Sequence, residues 1–217
     1  MMWLYEDNHL LTLNKPSGLL SQADSTGHPD VITLAKNYIK NKYNKPGNAY
    51  IGLVHRLDRP SSGTMVLART SKAARRLSKA FRERCVQKKY IAVVEGMLSG
   101  GGIMEDYLTK EADRAYVTHR SSSGKYASLK WEAVKCSGQF TLISIELITG
   151  RAHQIRCQFS HRGYPVVGDR RYGAHHRLDR HDCIALHCKS LCFEHPVKKE
   201  RMEIKAPRPD YWKRLEI

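Results

Sequence analysis

Acidic residues are scarce in this chain: 21 Asp and Glu stand against 37 Lys and Arg, leaving a formal charge of +16 at neutral pH. Cysteine is scarce too. Six in 217 residues are too few for a disulfide scaffold, so free thiols and a reducing, cytoplasmic setting are expected. No apolar run approaches the roughly 20 residues that a membrane helix needs, and no charged, apolar, small-residue leader precedes Trp3. Gly163, Gly168 and Gly173 punctuate one stretch without forming a G-x-G-x-x-G or Walker spacing, so no nucleotide cofactor is expected. Repeats and low-complexity tracts are missing as well. What is present is a hydrophobic fraction of 41%, enough for a core that needs neither disulfides nor metal.

The positive charge belongs to the folded body. Cations recur over residues 36–45, 69–89, 151–180 and 198–205, always among apolar residues with regular spacing. Between positions 75 and 89 the run Arg75, Arg76, Lys79, Arg82, Arg84, Lys88 and Lys89 is nearly of one sign. A merely solvated helix face usually mixes signs to gain i,i+4 pairs. A polyanion is the partner such a face fits, with nucleic acid first among polyanions.

Short linker-like runs at 44–48, 99–102 and 121–124 do not divide the chain, so residues 3–210 read as one domain. The stretch HLLTLNKPSG alternates and stops at a Lys15-Pro16-Ser17-Gly18 turn, the pattern of a strand. Pro29-Asp30 can open a helix through Tyr43 with Val31, Leu34, Ala35, Tyr38 and Ile39 in one stripe. Thr70 or Ser71 can cap a second helix reaching about Val86, with Ala74, Leu77, Ala80 and Phe81 inward and cations outward. Strands are expected at 50–54, 64–68, 90–94, 115–118, 128–134, 140–148, 184–187, 191–193 and 202–205. Helices fall between groups of strands rather than alternating with them. That pattern predicts an α+β fold with a mixed, mainly antiparallel sheet and flanking helices.

Chemistry concentrates in two segments. In LVHRLDRPSSG an apolar strand runs into His55, Arg56, Asp58 and Arg59 before a Pro-Ser-Ser-Gly turn; flanking cations favour the ionised form of Asp58, which can then serve as nucleophile or base. An Asp before such a turn can equally be a turn cap. In GRAHQIRCQFSHRG a short helix after Gly150 would bring His153 and Arg156 together, and Arg156 offers a planar fork for a carboxylate or phosphate. Cys183, Cys188 and Cys192 lie near His181, His187 and His195 without the paired spacing of a zinc site, so no metal is expected.

HRLD followed by Ser61-Ser62-Gly63 resembles the signature of RluA-type RNA pseudouridine synthases. LLTLNKPSGLL, QKKYIAVVEG, GRAHQIRCQFSHRGYPVVGDRRYG and ALHCKSLCFEHP are similar to further blocks of that family, in order, over nearly the whole chain. The resemblance implies the pseudouridine synthase fold and isomerisation of a uridine in rRNA or tRNA without a cofactor. It implies Asp58 as the catalytic aspartate, Tyr90 as the active-site tyrosine, and Arg156 as the cation that holds the aspartate ionised. Arg56 would fill the gap left by a flipped nucleotide. Ser61 stands where the family usually has Thr and keeps a hydroxyl for capping the turn; Ala152 lacks a side chain that could hydrogen-bond beside Arg151. Members often carry a separate S4-type RNA-binding domain. Here none is expected, so RNA would be held by the catalytic domain's own cations: His55, Arg56, Arg59, Arg75, Arg76, Lys79, Arg82, Lys88, Lys89, Arg151 and His153. The expected partner is RNA, not DNA or a membrane, and the expected state is a monomer. A protein that keeps the fold and only binds RNA or assists ribosome assembly would look equally basic; Asp58, Tyr90 and Arg156 together are what it would have no physical need to keep.

Overall fold

Residues 62–68, SGTMVLA, are buried at every position, which requires cover on both faces of the strand they form. The structure, a computed structural model, describes residues 1–44, 46–119, 123–178 and 182–217. His181 and parts of the stretches 36–45, 44–48, 121–124 and 151–180 read above lie outside them. The chain gathers into two compact units, Met1–Val86 with Ser190–Pro207 and Gln87–Lys189 with Arg208–Ile217.

In the first unit β1 (Met2–Glu6) and β2 (Leu10–Lys15) form an antiparallel hairpin. Helix α1 (Val31–Lys42) follows, and then β3 (Gly52–Leu53) and β4 (Ser62–Ala68), with β2 and β3 each antiparallel to β4. Helix α2 (Ser71–Arg82) packs on β3 and β4. Both helices start where a side chain replaces a missing backbone partner. Asp30 accepts from the N–H groups of Ile32 and Thr33 at 2.9 and 3.1 Å, and Thr70 from that of Ala73 at 3.2 Å; each cap is worth about 1 kcal/mol. Val31, Ala35 and Ile39 are the buried stripe of α1, whereas Leu34 is on the outside. α2 ends at Arg82, short of Val86, because Arg84 adopts a left-handed backbone (φ 60°).

The second unit is a meander of long strands: β5 (Gln87–Glu95), β6 (Gly101–Glu111), β7 (Arg114–Thr118), β8 (Lys125–Ser137) and β9 (Phe140–Leu147). β5 pairs β9, β9 pairs β8, β8 pairs β6 and β6 pairs β7, all antiparallel. β9 alternates strictly, with Thr141, Ile143, Ile145 and Leu147 inward. Helix α3 (Gln154–His161) packs against β6 and β7. β10 (Leu186–Glu194) begins in the second unit and ends in the first, where it pairs antiparallel with β11 (Arg201–Lys205). The mainly antiparallel α+β expectation is met. Two strands expected at 184–187 and 191–193 are one, and β1 and β6 were not expected at all.

One cluster ties down both hairpins of the first unit. Asp7 takes the N–H groups of His9 and Leu10, both at 2.8 Å, and the ring of fully buried His195 at 2.9 Å. His195 Nδ1 accepts from the N–H groups of Val197 and Lys198 at 3.1 and 2.8 Å, so its proton sits on Nε2, facing Asp7. Burial would raise the Asp7 carboxyl, yet the bonds it accepts outweigh burial and hold it down at about 2.

Candidate active site

Asp58 lies on the strandless stretch between β3 and β4, and both of its neighbours are pinned to one turn. Ser21 Oγ donates to Leu57 O at 2.6 Å and accepts from Leu57 N at 3.1 Å. On the other side Gly18 N donates to Arg59 O at 2.8 Å, and Arg59 Nε returns to Gly18 O at 3.2 Å. Lys15, fully buried at the end of β2, donates to the carbonyls of Pro16, Leu19 and Arg59 at 3.0, 2.8 and 3.2 Å. A buried ammonium is tolerable only with such partners. The result is a carboxylate on a rigid loop. Gly18 adopts φ 84°, a conformation suited to glycine. Sequence reading singled out neither Lys15 nor Ser21; the one signal was that NKPSG ends the strand on a lysine.

The residues around Asp58 divide by task. Arg56 is exposed and makes no hydrogen bond or ion pair among the described residues. His55 is used internally: its Nε2 accepts from Val66 N at 3.0 Å and its ring stacks on Phe81 at 4.6 Å between centroids. Ser61 caps nothing. The turn is closed by Ser61 N donating to Asp58 O at 3.0 Å, while Ser61 Oγ is buried with no partner among the described residues. On α2, Arg75 and Arg82 are exposed, Lys79 meets Glu83 at 3.9 Å, and Arg76 donates to Pro196 O at 2.6 Å.

In the second unit Tyr90 lies on β5 opposite Ile145 and is buried. Its side chain hydrogen-bonds the buried Cys188 thiol, which burial pushes up to about 12 against the lowering effect of that bond. Lys88 donates to Thr149 O at 3.4 Å, and Lys89 is exposed.

α3 starts at Gln154, later than the Gly150 break suggested, because Gln154 itself builds the preceding turn. Its Oε1 accepts from Thr149 Oγ1 at 2.7 Å and Arg151 N at 3.1 Å. Its Nε2 donates to Ser128 O at 3.1 Å and Gln158 Oε1 at 3.0 Å. All four capacities of the buried amide are filled. Gln158 passes the chain to Asp106 at 2.6 Å, and Arg162 grips the same carboxylate at 2.9 and 3.1 Å. Arg151 Nε donates to Tyr126 O at 2.9 Å. His153 is thereby held at φ 52°, ψ 23°, left-handed and without a capping bond, a strained place for a side-chain-bearing residue.

Arg156 is 4% exposed and forms a bidentate pair with buried Asp169, Nε to Oδ2 at 2.6 Å and Nη2 to Oδ1 at 2.9 Å. Its guanidinium carbon lies 4.9 Å from the ring centre of Tyr172. His153 Nδ1 reaches the hydroxyl of that same tyrosine at 3.0 Å. His153 and Arg156 therefore do come together, as their spacing implied, but through Tyr172. Asp169 and Tyr172 went unnoticed in the sequence because a separation of 13 or more residues carries no helical or strand period. Among the described residues no group of three His, Cys, Asp or Glu could hold a metal, and all six cysteines are free.

The model of the family described as RNA pseudouridylate synthase matches residues 9–161. The chain belongs to this family. It is 33% identical over 212 residues to ribosomal large subunit pseudouridine synthase C of Vibrio vulnificus, covering 94% of this chain and 64% of that protein. To synthase C of Buchnera aphidicola subsp. Schizaphis graminum it is 36% identical, with 97% and 68% covered. To synthase D of Vibrio cholerae it is 31% identical, with 95% and 67% covered. The chain thus spans about two thirds of the length of the curated relatives it matches. Human RNA Pseudouridylate Synthase Domain Containing 4 shares the fold, with a TM-score of 0.82 at 22% identity over 99% of this chain and 93% of that one. Domain Containing 1 does so at 0.75 and 23%, with 96% and 83% covered.

Proposed function

We propose that this protein is an RNA pseudouridine synthase acting on a uridine of RNA, ribosomal RNA first, with residues 3–210 as the catalytic domain. The observation that carries the reading is that Asp58, Tyr90 and Arg156 all fall inside the segment matched by the family model. The reaction breaks the N1–C1′ bond, turns the uracil and joins C5 to C1′; C5 loses a proton and N1 gains one. Asp58 attacks or assists at the glycosidic carbon, a role that suits a carboxylate whose flanking backbone is fixed on both sides. Tyr90 stacks on the base and stands ready for the proton transfer. Arg156, locked by Asp169, is the active-site cation of this reading, a guanidinium already fixed in place and needing no reorganisation. Arg56, exposed and unpaired, takes the space of the extruded nucleotide.

RNA is held by the cations the protein does not use on itself. Arg75, Arg82 and Lys89 are exposed without a partner among the described residues, which supports a phosphate-binding role. Arg76, His55 and Arg151 each spend a donor or acceptor inside the protein, and their contribution to RNA binding is correspondingly smaller. The large-subunit synthases among the relatives make large-subunit rRNA the first substrate to try. The test is a map of pseudouridines in RNA from cells with and without this gene. The reading expects at least one site to vanish; identical maps for rRNA and tRNA would refute it.

A further inference from the structure

Tyr172 is contacted from four directions within the second unit, by groups that the reading above treats separately. Its hydroxyl oxygen accepts from Ala115 N at 2.7 Å and meets His153 Nδ1 at 3.0 Å. Its ring lies 4.9 Å from the guanidinium carbon of Arg156 and 5.0 Å from that of Arg114. The side chain is 2% exposed and sits among Leu108, Ala115, Ala127 and Cys157. Packing alone would account for a buried ring. It does not account for a hydroxyl aimed at the one histidine of the loop that leads into α3.

The protons can be counted. A phenol has one hydrogen to give. Ala115 N–H donates to the Tyr172 oxygen, and the hydroxyl hydrogen can be given to His153 Nδ1. The imidazole proton is then on Nε2. Burial pushes the Tyr172 hydroxyl up to about 12, so it stays a donor at any working pH. At the other end of the same side chain, the ring face meets the guanidinium that Asp169 grips, a cation–π contact in a desolvated place.

We propose that Tyr172 is a positioning residue: it fixes His153 as the Nε2–H tautomer through its hydroxyl and seats the Arg156 guanidinium through its ring, so that both are preset before RNA arrives. The proposal rests on the catalytic reading of Arg156 given above. It explains why a strained left-handed His153 is retained three residues before Arg156, since both must reach one tyrosine.

The test pairs ring-nitrogen NMR of His153 with steady-state kinetics on an RNA substrate, for the wild type, Tyr172→Phe and Tyr172→Leu, well below each protein's Tm. Expected in the wild type is one His153 tautomer, protonated on Nε2. Tyr172→Phe keeps the ring, so the Arg156 Nε–H resonance stays in place, but the tautomers mix and kcat falls about tenfold while KM stays within about twofold. Tyr172→Leu loses both contacts, moves the Arg156 resonance and lowers kcat about a hundredfold. An active Tyr172→Phe protein that keeps the single Nε2–H tautomer, or the wild-type kcat with only a lower Tm, overturns the proposal. If the wild type converts no uridine yet Tyr172→Phe scrambles the tautomer, the catalytic reading falls and the positioning geometry stands.

Discussion

Helices α2 and α3 are both rich in cations, yet they solve opposite problems. α2 buries only Ala73 and Leu77, begins on a satisfied threonine cap and leaves Arg75 and Arg82 in solvent. α3 has no side-chain cap and buries six consecutive residues, among them two glutamines and an arginine. An isolated helix of eight residues is unstable in water. α3 exists because Ser128, Thr149, Asp106, Asp169 and Tyr172 complete it. Charge that is exposed and unpaired can be given to a ligand; charge that is buried and bidentate is fixed in place and can only act from there. The two helices therefore mark two uses of one residue type: cations left in solvent, where a ligand could reach them, and a cation locked inside the protein.

Removing a partner from α3 is the strongest way to test that contrast. Asp169→Ala removes the bidentate partner of the buried Arg156 guanidinium and should cost about 3–5 kcal/mol, read from urea unfolding; a loss below about 1 kcal/mol would put α3 on the same footing as α2. Gln158→Leu breaks the amide chain at Gln154 and Asp106 and should cost about 2 kcal/mol by the same measurement. Alkali probes the α3 surroundings by another route. Burial raises Tyr172 to about 12 and Cys157 to about 11, so the folded state prefers both protonated. Their contribution is complete below about pH 9 and is lost as pH rises through the folded-state values. Stability should fall from about pH 9 to 12, and Tyr172→Phe should flatten the upper part of that fall. The smallest effect on stability belongs to α2: Arg75→Ala with Arg82→Ala should change it by no more than about 0.5 kcal/mol. The same pair should lower the salt slope of RNA binding by about 2. An unchanged slope would remove α2 from the RNA surface.

How legible each helix was follows from the same difference. α1 and α2 carry their signals locally, in Asp30, Thr70 and a stripe at spacings of three and four, and the sequence places both to within a few residues. α3 starts where a buried glutamine completes a turn through residues 26 positions away, and no local pattern reports that. β6 went unread because it opens on Gly101-Gly102 and buries only Met104 and Leu108, four apart rather than two. β10 looked like two strands because Lys189 is exposed between buried Cys188 and buried Ser190. At the candidate site, the motif residues Asp58, Tyr90 and Arg156 stood out through the family resemblance. What fixes two of them did not: Lys15 and Ser21 beside Asp58, Asp169 and Tyr172 beside Arg156. Those are ordinary residue types whose importance lies only in what they touch.

Whether the chain isomerises uridine in RNA with Asp58 at the reacting bond is decided by Asp58→Ala. The measurement is pseudouridine formation in large-subunit rRNA, alongside RNA affinity at fixed salt. No detectable product is expected from the variant, with an affinity close to that of the wild type, because phosphate contacts dominate binding. Pseudouridine formed by the variant at the wild-type rate would contradict that expectation.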